Sequence, residues 1–395
     1  MRKVLIAGGG VGGLTAALAL LKKGIECEVF EQAQELREVG AGVQIAANGT
    51  RVLFELGLEQ AVRNRGVEAA GKEIRLWNTG ASWKLFDLGA VSVQRYGFPY
   101  FLLHRSDLHG MLAEAVQRIK PDAIRLGARC KGFEDHGDGV TLLTECGERI
   151  RGDALIGADG LHSRVRQQLF GSEQARFSGG VAWRGLVPME RLPEHQRRSV
   201  GANWIGPRGH VITYPVRPDL LNFVGHVERD DWQVESWTES GEVAECLADF
   251  EGWHEDIRRI IENIEMPFKW ALYLREPLQQ WTRGRVSLLG DACHATLPYL
   301  AQGANMAIED GFVLARCIEA AGGDLPAALL RYQTARCERT TQIVRRSAAN
   351  LSRFHHGELA DAADGAAYVD REWHPDKVKE RYDWLFSYDA VNTPL

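Results

Sequence analysis

The chain has 395 residues, of which 45% are hydrophobic and 25% charged, a composition typical of a globular protein with room for two cores. Its formal net charge of −6 argues against a nucleic-acid backbone as partner, because proteins that bind one carry clustered Lys and Arg. No apolar run approaches the roughly 18 residues of a membrane span, and the N-terminus enters an apolar strand almost at once. We therefore expect a cytoplasmic protein with neither a membrane span nor a signal peptide.

The first predicted elements, over residues 4–31, are a buried strand, a glycine-rich turn, a helix and a second strand. The turn carries the pattern G-x-G-x-x-G, formed by Gly8, Gly10 and Gly13, with Gly12 between the last two. In this geometry Gly10 lets the backbone approach a pyrophosphate, and the helix N-terminus faces the phosphates. Glu31 ends the second strand, where an acid accepts hydrogen bonds from ribose hydroxyls. The motif predicts a dinucleotide site without deciding between FAD and NAD, and a plain glycine-rich turn is the alternative.

Short helices and strands follow this motif. We predict helices over 48–56 and 104–116, the second with Ser106 as N-cap, and strands within 73–88 and over 124–133, 139–144 and 148–151. An apolar strand then leads into a second motif, Gly157-Ala158-Asp159-Gly160. A turn of small residues with an acid, opening a helix, suits the close passage of a dinucleotide. The alternative is a plain turn between a strand and a helix.

The middle of the chain, about 175–277, changes character. Runs at 180–187, 210–216 and 221–227 predict strands, and 242–264 predicts a helical segment. Counting the nearby Trp281, seven of the eleven tryptophans lie here, Trp232 and Trp237 among them. We predict an antiparallel sheet with one face lining a pocket; the alternative is that the tryptophans fill a core.

A third motif lies within residues 285–310. A buried strand ends at Gly290-Asp291, and the carboxyl end of a parallel strand is where ligands sit in open α/β sheets. An acid there can accept a hydrogen bond from a ribityl hydroxyl. Gly303, Ala304 and Asn305 then open a helical stretch that reaches about residue 351, and free N–H groups at its start would face negative charge on a reduced isoalloxazine.

Together these elements predict an α/β fold with a discontinuous Rossmann-like nucleotide-binding domain. That domain takes residues 1–72, 100–175 and 278–355, and the inserted substrate-binding sheet takes 73–99 and 176–277. The tail, 356–395, carries aromatic patches that favour docking on the body over disorder. The seven cysteines, at 27, 130, 146, 246, 293, 317 and 337, show no metal-like spacing, so we expect reduced thiols and no metal site.

The three motifs, in this order, resemble those of the class A flavoprotein monooxygenases, the single-component FAD-dependent aromatic hydroxylases. The resemblance rests on the glycine motif with Glu31, on the segment around Asp159 and on Asp291, and it covers essentially the whole chain. Residues 40–44, 104–109 and 307–310 are similar to those of salicylate, 3-hydroxybenzoate and 6-hydroxynicotinate hydroxylases. The resemblance implies a domain like that of para-hydroxybenzoate hydroxylase, non-covalent FAD, and NADH or NADPH as co-substrate.

Further cofactor contacts are implied by the same resemblance. Arg105 is expected at the FAD pyrophosphate or ribityl region, and Gln44 near the flavin. Cys130 is expected near the adenine through its backbone.

The substrate site is implied by a segment similar to one in 3-hydroxybenzoate 6-hydroxylase, which carries a catalytic His and a substrate-contacting Tyr. Here these are His210 and Tyr214, four residues apart on a predicted strand, so both point to one face. The 3-hydroxybenzoate enzymes carry Gln where this chain has Pro298, and the 6-hydroxynicotinate enzymes carry His where it has Tyr299. The run around Pro298 and Tyr299, both expected at the substrate, is closer to salicylate hydroxylases. The ring pattern of the substrate stays open.

The implied activity is hydroxylation of a small phenolic aromatic acid, salicylate-like, with NAD(P)H and O2 through a flavin C4a-hydroperoxide. His210 is the predicted base for the phenolic proton, and Arg184, Arg208 and Arg217 are candidates to pair with a carboxylate. The alternatives are 3-hydroxybenzoate 6-hydroxylase activity, 6-hydroxynicotinate 3-monooxygenase activity, or a non-catalytic flavin- or nicotinamide-binding protein. The sequence leaves open NADH versus NADPH, an accompanying decarboxylation, and whether the protein is a homodimer.

Overall fold

The structure, a computed structural model, describes residues 3–36, 42–172, 175–229, 231 and 239–395. Gly40, Ala41, Trp232 and Trp237, which the sequence analysis used, lie outside these ranges. The strands of the described residues are, in chain order, β1 (Lys3–Ala7), β2 (Glu26–Phe30), β3 (Gly42–Ile45), β4 (Val67–Glu68), β5 (Gly71–Leu76), β6 (Ser82–Asp87), β7 (Phe101–His104), β8 (Ile124–Arg125), β9 (Cys130–Asp135), β10 (Val140–Thr144), β11 (Arg149–Gly152), β12 (Ala154–Gly157), β13 (Arg176–Pro188), β14 (Val200–Gly206), β15 (Gly209–Arg217), β16 (Leu220–Glu228), β17 (Phe268–Leu274), β18 (Thr282–Arg283) and β19 (Val286–Leu288).

The α-helices are α1 (Val11–Lys22), α2 (Ala47–Glu55), α3 (Glu59–Arg65), α4 (Gly89–Tyr96), α5 (Arg105–Ile119), α6 (Arg164–Phe170), α7 (Val243–Asp249), α8 (Glu255–Glu262), α9 (Asp291–His294), α10 (Gly303–Ala320), α11 (Leu325–Ala349), α12 (Leu351–Phe354), α13 (Ala362–Glu372) and α14 (Pro375–Phe386). Single 3-10 turns lie at Met189–Arg191, Glu194–Gln196, Pro298–Leu300 and Gly357–Ala360. No helix of the described residues is both long enough and apolar enough to cross a membrane.

The first large sheet holds the three motifs at one edge. Its six strands run in the order β18-β19-β12-β1-β2-β8, and all neighbours are parallel except β18 and β19. The apolar residues of β1 are fully buried, as expected for a strand covered on both faces. Because parallel strands end at the same edge, Gly8, Glu31, Ala158 and Gly290 meet there.

The second large sheet has seven strands in the order β17-β13-β16-β15-β14-β5-β6. It differs from the predicted antiparallel sheet at one pair, since β14 and β5 run parallel. Side chains alternate across it, so that Trp183 of β13 packs in a core with Phe250 and Ile257 near α7 and α8. Its neighbours Ala182 and Arg184 face a cavity on the opposite side.

Smaller elements connect these two layers. Two three-stranded sheets, β11-β10-β9 and β3-β7-β4, flank the large ones. In the C-terminal segment, Tyr382 and Phe386 of α14 are buried and lie 4.9 and 5.8 Å, ring to ring, from Phe86. The domain boundaries given above stay a prediction.

Three local predictions were wrong in ways that the backbone explains. Helix α5 begins at Arg105 with His104 as N-cap, so Ser106 lies inside the helix, where its Oγ lies 2.6 Å from Nδ1 of His104. The predicted helix after Asn305 is broken between α10 and α11, where Gly322 and Gly323 have φ of 57° and 135°. The predicted helical segment 242–264 is likewise two helices, α7 and α8, separated by a turn with Gly252 at φ 79°.

All seven cysteines are free, and five of them are buried.

Candidate active site

A cavity of about 330 Å³ lies between the motif edge of the first sheet and the face of the second. This volume is at the lower end of small-molecule sites. One wall is made by the motif turns of the first sheet, by strand β3 and by the start of α10: Gly10–Gly12, Gly42–Gln44, Ala158, Gly160, Gly290, Asp291, Gly303 and Ala304. The opposite wall is made by side chains of the sheet: Ala182, Arg184, His210, Tyr214, His226 and Trp270.

The glycine-rich turn leaves the room that a dinucleotide requires. Gly10 is the N-cap of α1 and provides no side-chain cap, so the N–H groups of the first turn stay available for phosphates. A Cβ placed at Gly10 would meet no atom within 4 Å, whereas one at Gly8 would lie 2.2 Å from the carbonyl oxygen of Ala158. Gly8 has φ 106°, which favours glycine. The turn therefore packs tightly against the second motif and stays open toward the cavity, which fits a bound pyrophosphate.

Glu31 is fixed at the end of β2 by backbone amides. Its Oε2 accepts a hydrogen bond from the N–H of Gly9 at 2.7 Å, and its Oε1 accepts one from the N–H of Ala33 at 2.9 Å. His109 Nε2 lies 2.7 Å from the carbonyl oxygen of Gly9 and holds the other side of the turn. The carboxylate thus shapes the glycine-rich turn, and its contact with a ribose stays a prediction.

Asp159 caps a helix. Its carboxylate accepts hydrogen bonds from Ser163 Oγ at 2.5 Å and from the N–H groups of Arg164 and Val165 at 2.8 and 3.2 Å. Burial raises the pKa of Asp159 above its ordinary value, and these hydrogen bonds oppose the shift. Because the carboxylate is engaged by α6, the second motif faces the cavity through Ala158, Gly160 and Leu161.

The third motif rests on a buried network of charges. Asp291 opens α9 and lines the cavity with an exposed side chain. Behind it, Asp310 lies 2.6 Å from His294 Nε2 and 2.7 Å from Arg336 Nε, all fully buried. Burial acts to raise the pKa of Asp310, but His294 and Arg336 outweigh it and hold that pKa below its ordinary value. Arg336 also pairs with Glu309, so the start of α10 is anchored from inside.

Gln44 is positioned by two side chains. Asn305 donates from Nδ2 to the carbonyl oxygen of Gln44 at 3.0 Å and accepts at Oδ1 from the N–H of Ala46 at 3.0 Å. Tyr100 donates to Oε1 of Gln44 at 2.8 Å. Asn305 is therefore a support for β3, while Gly303 and Ala304 at the start of α10 line the cavity.

Two further cofactor predictions have different outcomes. Arg105, at the start of α5, lines the cavity. Cys130 begins β9, is buried, and has its Sγ 3.6 Å from the carbonyl oxygen of Gly132. The structure therefore brings Arg105 to the site together with Gly10, Gly12, Gln44 and Asp291, and it leaves Cys130, Glu31, Asp159 and Asn305 behind the lining.

Two strands of the second sheet, β15 and β16, form much of the opposite wall of the cavity. His210 and Tyr214 of β15 lie on one face, as their spacing predicted, and face His226 and Asn222 across β16. Burial raises the pKa of Tyr214 to about 12, although Arg184 and Gln44 act to lower it, so the phenol stays protonated and able to donate. Burial, then the neighbouring His226 and His355, lowers the pKa of His210 well below its ordinary value. The unperturbed value that made His210 attractive as a base therefore does not apply.

Strand β3 touches this wall through Gly42. Its N–H donates to Oδ1 of Asn222 at 2.8 Å. A Cβ at Gly42 would lie 2.6 Å from the Tyr214 hydroxyl and 2.7 Å from Cγ of Asn222. The two layers therefore meet here through bare backbone.

The sequence analysis missed His226 and His355. Nδ1 of His210 lies 2.8 Å from Nε2 of His355, and Nδ1 of His226 lies 3.4 Å from the same nitrogen. One ring nitrogen from each of His210, His226 and His355 lies within 4.8 Å of those of the other two. Tyr299, from the 3-10 turn after α9, lies with its hydroxyl 2.9 Å from Nε2 of His226, and Pro298 lines the cavity beside it.

The structure separates the three candidate arginines. Arg184 is partly buried, lines the cavity and has its guanidinium carbon 4.3 Å from the centre of the Trp270 ring. Burial lowers the pKa of Arg184 to about 10, which leaves it a cation at neutral pH. Arg217 pairs with Asp107 at 2.8 Å, and Arg208 is exposed on the turn between β14 and β15.

Comparison with known proteins assigns the chain to a family. A family model described as an FAD binding domain matches residues 1–347. A 3-amino-4-hydroxybenzoate 2-monooxygenase of Streptomyces platensis is 39% identical over 390 residues, covering 98% of this chain and 96% of the relative. The 3-hydroxybenzoate 6-hydroxylase of Polaromonas naphthalenivorans is 35% identical, covering 98% of this chain and 96% of the relative. The chain belongs to the FAD-dependent aromatic monooxygenases.

A solved structure of an FAD-binding protein agrees with the fold. HpxO of Klebsiella pneumoniae, complexed with FAD and uric acid, superposes with a TM-score of 0.84 at 27% identity, covering 100% of this chain and 97% of that one. The predictions of an α/β fold, of FAD as cofactor and of monooxygenase activity are confirmed, and NAD(P)H is the co-substrate typical of the family. The roles of individual site residues stay predictions.

Proposed function

We propose that this monooxygenase hydroxylates the ring of a small benzoate that carries a hydroxyl group, with or without a neighbouring amino group. One observation carries the proposal: His210 and Arg184, a base and a cation, face the same cavity beside the glycine cradle. A phenolic acid offers a proton to the first and a carboxylate to the second. The relatives at 39% and 35% identity, named for 3-amino-4-hydroxybenzoate and 3-hydroxybenzoate, support this class.

The cofactor has a matching set of contacts. FAD, when bound, accepts hydride from NAD(P)H and activates oxygen. The N-terminus of α1 and Arg105 would hold its phosphates, Asp291 its ribityl hydroxyls, and the N–H groups at Gly303 and Ala304 its ring system. These assignments rest on the open backbone at Gly10 and on the cavity lining.

The substrate residues then have distinct tasks. Arg184, partly buried and held over Trp270, would pair with the carboxylate and fix the orientation of the ring. Tyr214, kept protonated, would donate a hydrogen bond to the ligand or to Gln44. His210 would take the phenolic proton, because an ionised ring is more nucleophilic and a positioned base accelerates such steps by about 10²–10⁴-fold. The buried walls limit the entry of water.

The test is a substrate panel on the FAD-loaded protein. NADH and NADPH oxidation would be followed with 3-amino-4-hydroxybenzoate, 3-hydroxybenzoate, salicylate and 6-hydroxynicotinate, with products identified by mass spectrometry. Benzoate, which has no phenolic proton, and the methyl esters, which have no carboxylate, are the controls. We expect coupled hydroxylation of at least one hydroxybenzoate and weak response to both controls. If no aromatic acid stimulates oxidation, the protein is a flavin-binding protein without this activity.

A further inference from the structure

Two histidines and one glutamate connect the cavity with the protein surface. His210 lines the cavity, and its Nδ1 lies 2.8 Å from Nε2 of His355. Nδ1 of His355 lies 2.8 Å from Oε1 of Glu228. The side chain of His355 is only 2% exposed, whereas that of Glu228 is 40% exposed. Two hydrogen bonds therefore lead from a buried ligand-facing imidazole to a carboxylate in contact with solvent.

We propose that His210, His355 and Glu228 form a proton relay that carries the phenolic proton of the substrate from the cavity to solvent. This inference rests on the proposed function, because it needs a substrate with an ionisable hydroxyl. It assigns catalytic work to two residues, His355 and Glu228, that lie outside the cavity lining.

The carboxylate of Glu228 determines which ring nitrogen of His355 and of His210 carries the hydrogen. A carboxylate only accepts, so Nδ1 of His355 carries the hydrogen and its Nε2 offers a lone pair. That lone pair accepts from Nδ1 of His210. Because Nδ1 of His210 is then the protonated nitrogen, its Nε2 is left with a lone pair for a ligand in the cavity. The exposed carboxylate of Glu228 thus leaves the buried imidazole of His210 in the tautomer that can accept a proton at Nε2.

The transfer balances without any charged intermediate on the rings. The phenol O–H bond breaks and its proton binds Nε2 of His210, the Nδ1 proton of His210 moves to Nε2 of His355, and the Nδ1 proton of His355 moves to Glu228. Glu228 releases it to water, so one phenolate and one solvated proton result. The same steps in reverse protonate the product and restore the starting tautomers.

Burial explains why His210 would pass the proton on. Desolvation lowers the pKa of His210 and of His226 well below their ordinary values. A positive charge on either imidazole is therefore unfavourable. At His355, burial also lowers the pKa, although Glu228 acts to raise it. The half-exposed carboxylate is the place on this path where the proton meets solvent.

His226 and Tyr299 face the same relay from the side. Nδ1 of His226 is 3.4 Å from Nε2 of His355, whereas Nδ1 of His210 is 2.8 Å from it, so His210 is the residue that donates to this nitrogen. The His226 ring stacks on the His210 ring with centres 5.0 Å apart, and the Tyr299 hydroxyl lies 2.9 Å from Nε2 of His226. A Cβ at Gly180 would come within 2.3 Å of that nitrogen, so the sheet leaves space for this ring. These two are positioning residues.

The experiment measures proton transfer directly. The probe is 4-hydroxy-3-nitrobenzoate, whose phenolate is yellow, bound to the FAD-loaded protein and followed in a stopped-flow pH jump. Glu228→Gln keeps an oxygen that accepts from His355 but takes up no proton, and we expect ionisation of the bound probe to slow by about 10²-fold. His355→Gln should slow it as much, and the double variant no further, because both lie on one path. Glu358→Gln is the matched control, a glutamate 39% exposed beside His356.

Chemical rescue separates the relay from a structural role. Glu228→Ala leaves space reachable from solvent, so formate or acetate should restore at least part of the ionisation rate and of kcat, while chloride should not. FAD content and circular dichroism of each variant verify folding. If the unmodified enzyme hydroxylates a phenolic acid while Glu228→Gln and His355→Gln ionise the probe and turn over at its rate, the relay is wrong. If the unmodified enzyme accepts no phenolic acid, the proposed function fails and the relay fails with it.

Discussion

His210 and His226 are directly opposite each other on β15 and β16, with their rings stacked 5.0 Å apart at an interplanar angle of 27°. A cross-strand pair of this kind is set by the register of the sheet. The candidate base is therefore held by a rigid element and not by a loop, which suits a group that must meet one atom of a ligand.

Replacement of His210 tests its assignment as base. We expect His210→Asn to lower kcat by about 10²–10⁴-fold on the best substrate of the panel while FAD remains bound. Steady-state kinetics and the visible spectrum measure the two effects. The matched control is His195→Asn, an exposed histidine that pairs with Asp256. Equal kcat in both variants would remove His210 from the mechanism.

Replacement of Arg184 tests recognition of the carboxylate. A lost charge-assisted hydrogen bond costs about 1.5–3 kcal/mol, so Arg184→Gln should raise KM for the acid by about 10–100-fold. The response to the methyl ester should not change, because the ester offers no carboxylate. Arg208→Gln, on the exposed turn, should match the unmodified enzyme. A KM that rises equally for acid and ester would contradict the assignment.

Gly8 and Gly10 should respond differently to a methyl group. Gly8→Ala places Cβ 2.2 Å from a carbonyl oxygen at φ 106°, and we expect a lower Tm and at least about 1–3 kcal/mol lost from the free energy of unfolding. Gly10→Ala meets no protein atom within 4 Å, so the apoprotein should keep its Tm. Its affinity for FAD should fall about tenfold or more, since the methyl occupies cofactor space. Titration of the apoproteins with FAD and thermal melts give both quantities. Unchanged FAD affinity in Gly10→Ala would place the pyrophosphate elsewhere.

The buried Asp310 should control the acid stability of the protein. A folded-state pKa held below the ordinary value contributes stability that is present above about pH 4 and is lost as pH falls through the folded pKa. Asp310→Asn leaves Arg336 and His294 without this partner, so the free energy of unfolding at neutral pH should fall by about 3–5 kcal/mol. The free energy of unfolding of Asp310→Asn should fall less steeply on acidification than that of the unmodified protein. Urea unfolding from pH 7 to pH 3 measures both, with the exposed Asp138→Asn as control. Parallel curves for Asp310→Asn and the unmodified protein would contradict the role.

Local patterns predicted where the three motifs lie in the fold, because each motif is one strand, one turn and one helix. The glycine turn, the turn at Ala158 and Asp291 all lie where strand ends dictate. The roles of two acids were harder to predict, because Glu31 and Asp159 hydrogen-bond to backbone amides of their own turns. A carboxylate at the right position in a motif does not reveal which donors it meets.

At the opposite wall of the cavity, the two histidines that were not predicted, His226 and His355, differ in how far the sequence could have indicated them. His226 was closer to the reach of sequence reasoning, because it lies on the strand that directly follows β15. A register shift between Pro215 and Arg217, which the sequence does not reveal, decides that His226 is the residue opposite His210. His355 was out of reach, because its position depends on how α11 and α12 return across the second sheet, 145 residues after His210. Long-range packing of that kind leaves no periodic trace in the chain.

Position 42 has a consequence for how the protein can vary. With a glycine there, β3 hydrogen-bonds directly to the side chain of Asn222 and leaves no room for a side chain beside Tyr214. Any side chain would act as a wedge and push β3 away from the cavity wall that carries Tyr214. Evolution of new substrate preferences in this scaffold therefore has to proceed by changes elsewhere on the wall, with this spacing preserved.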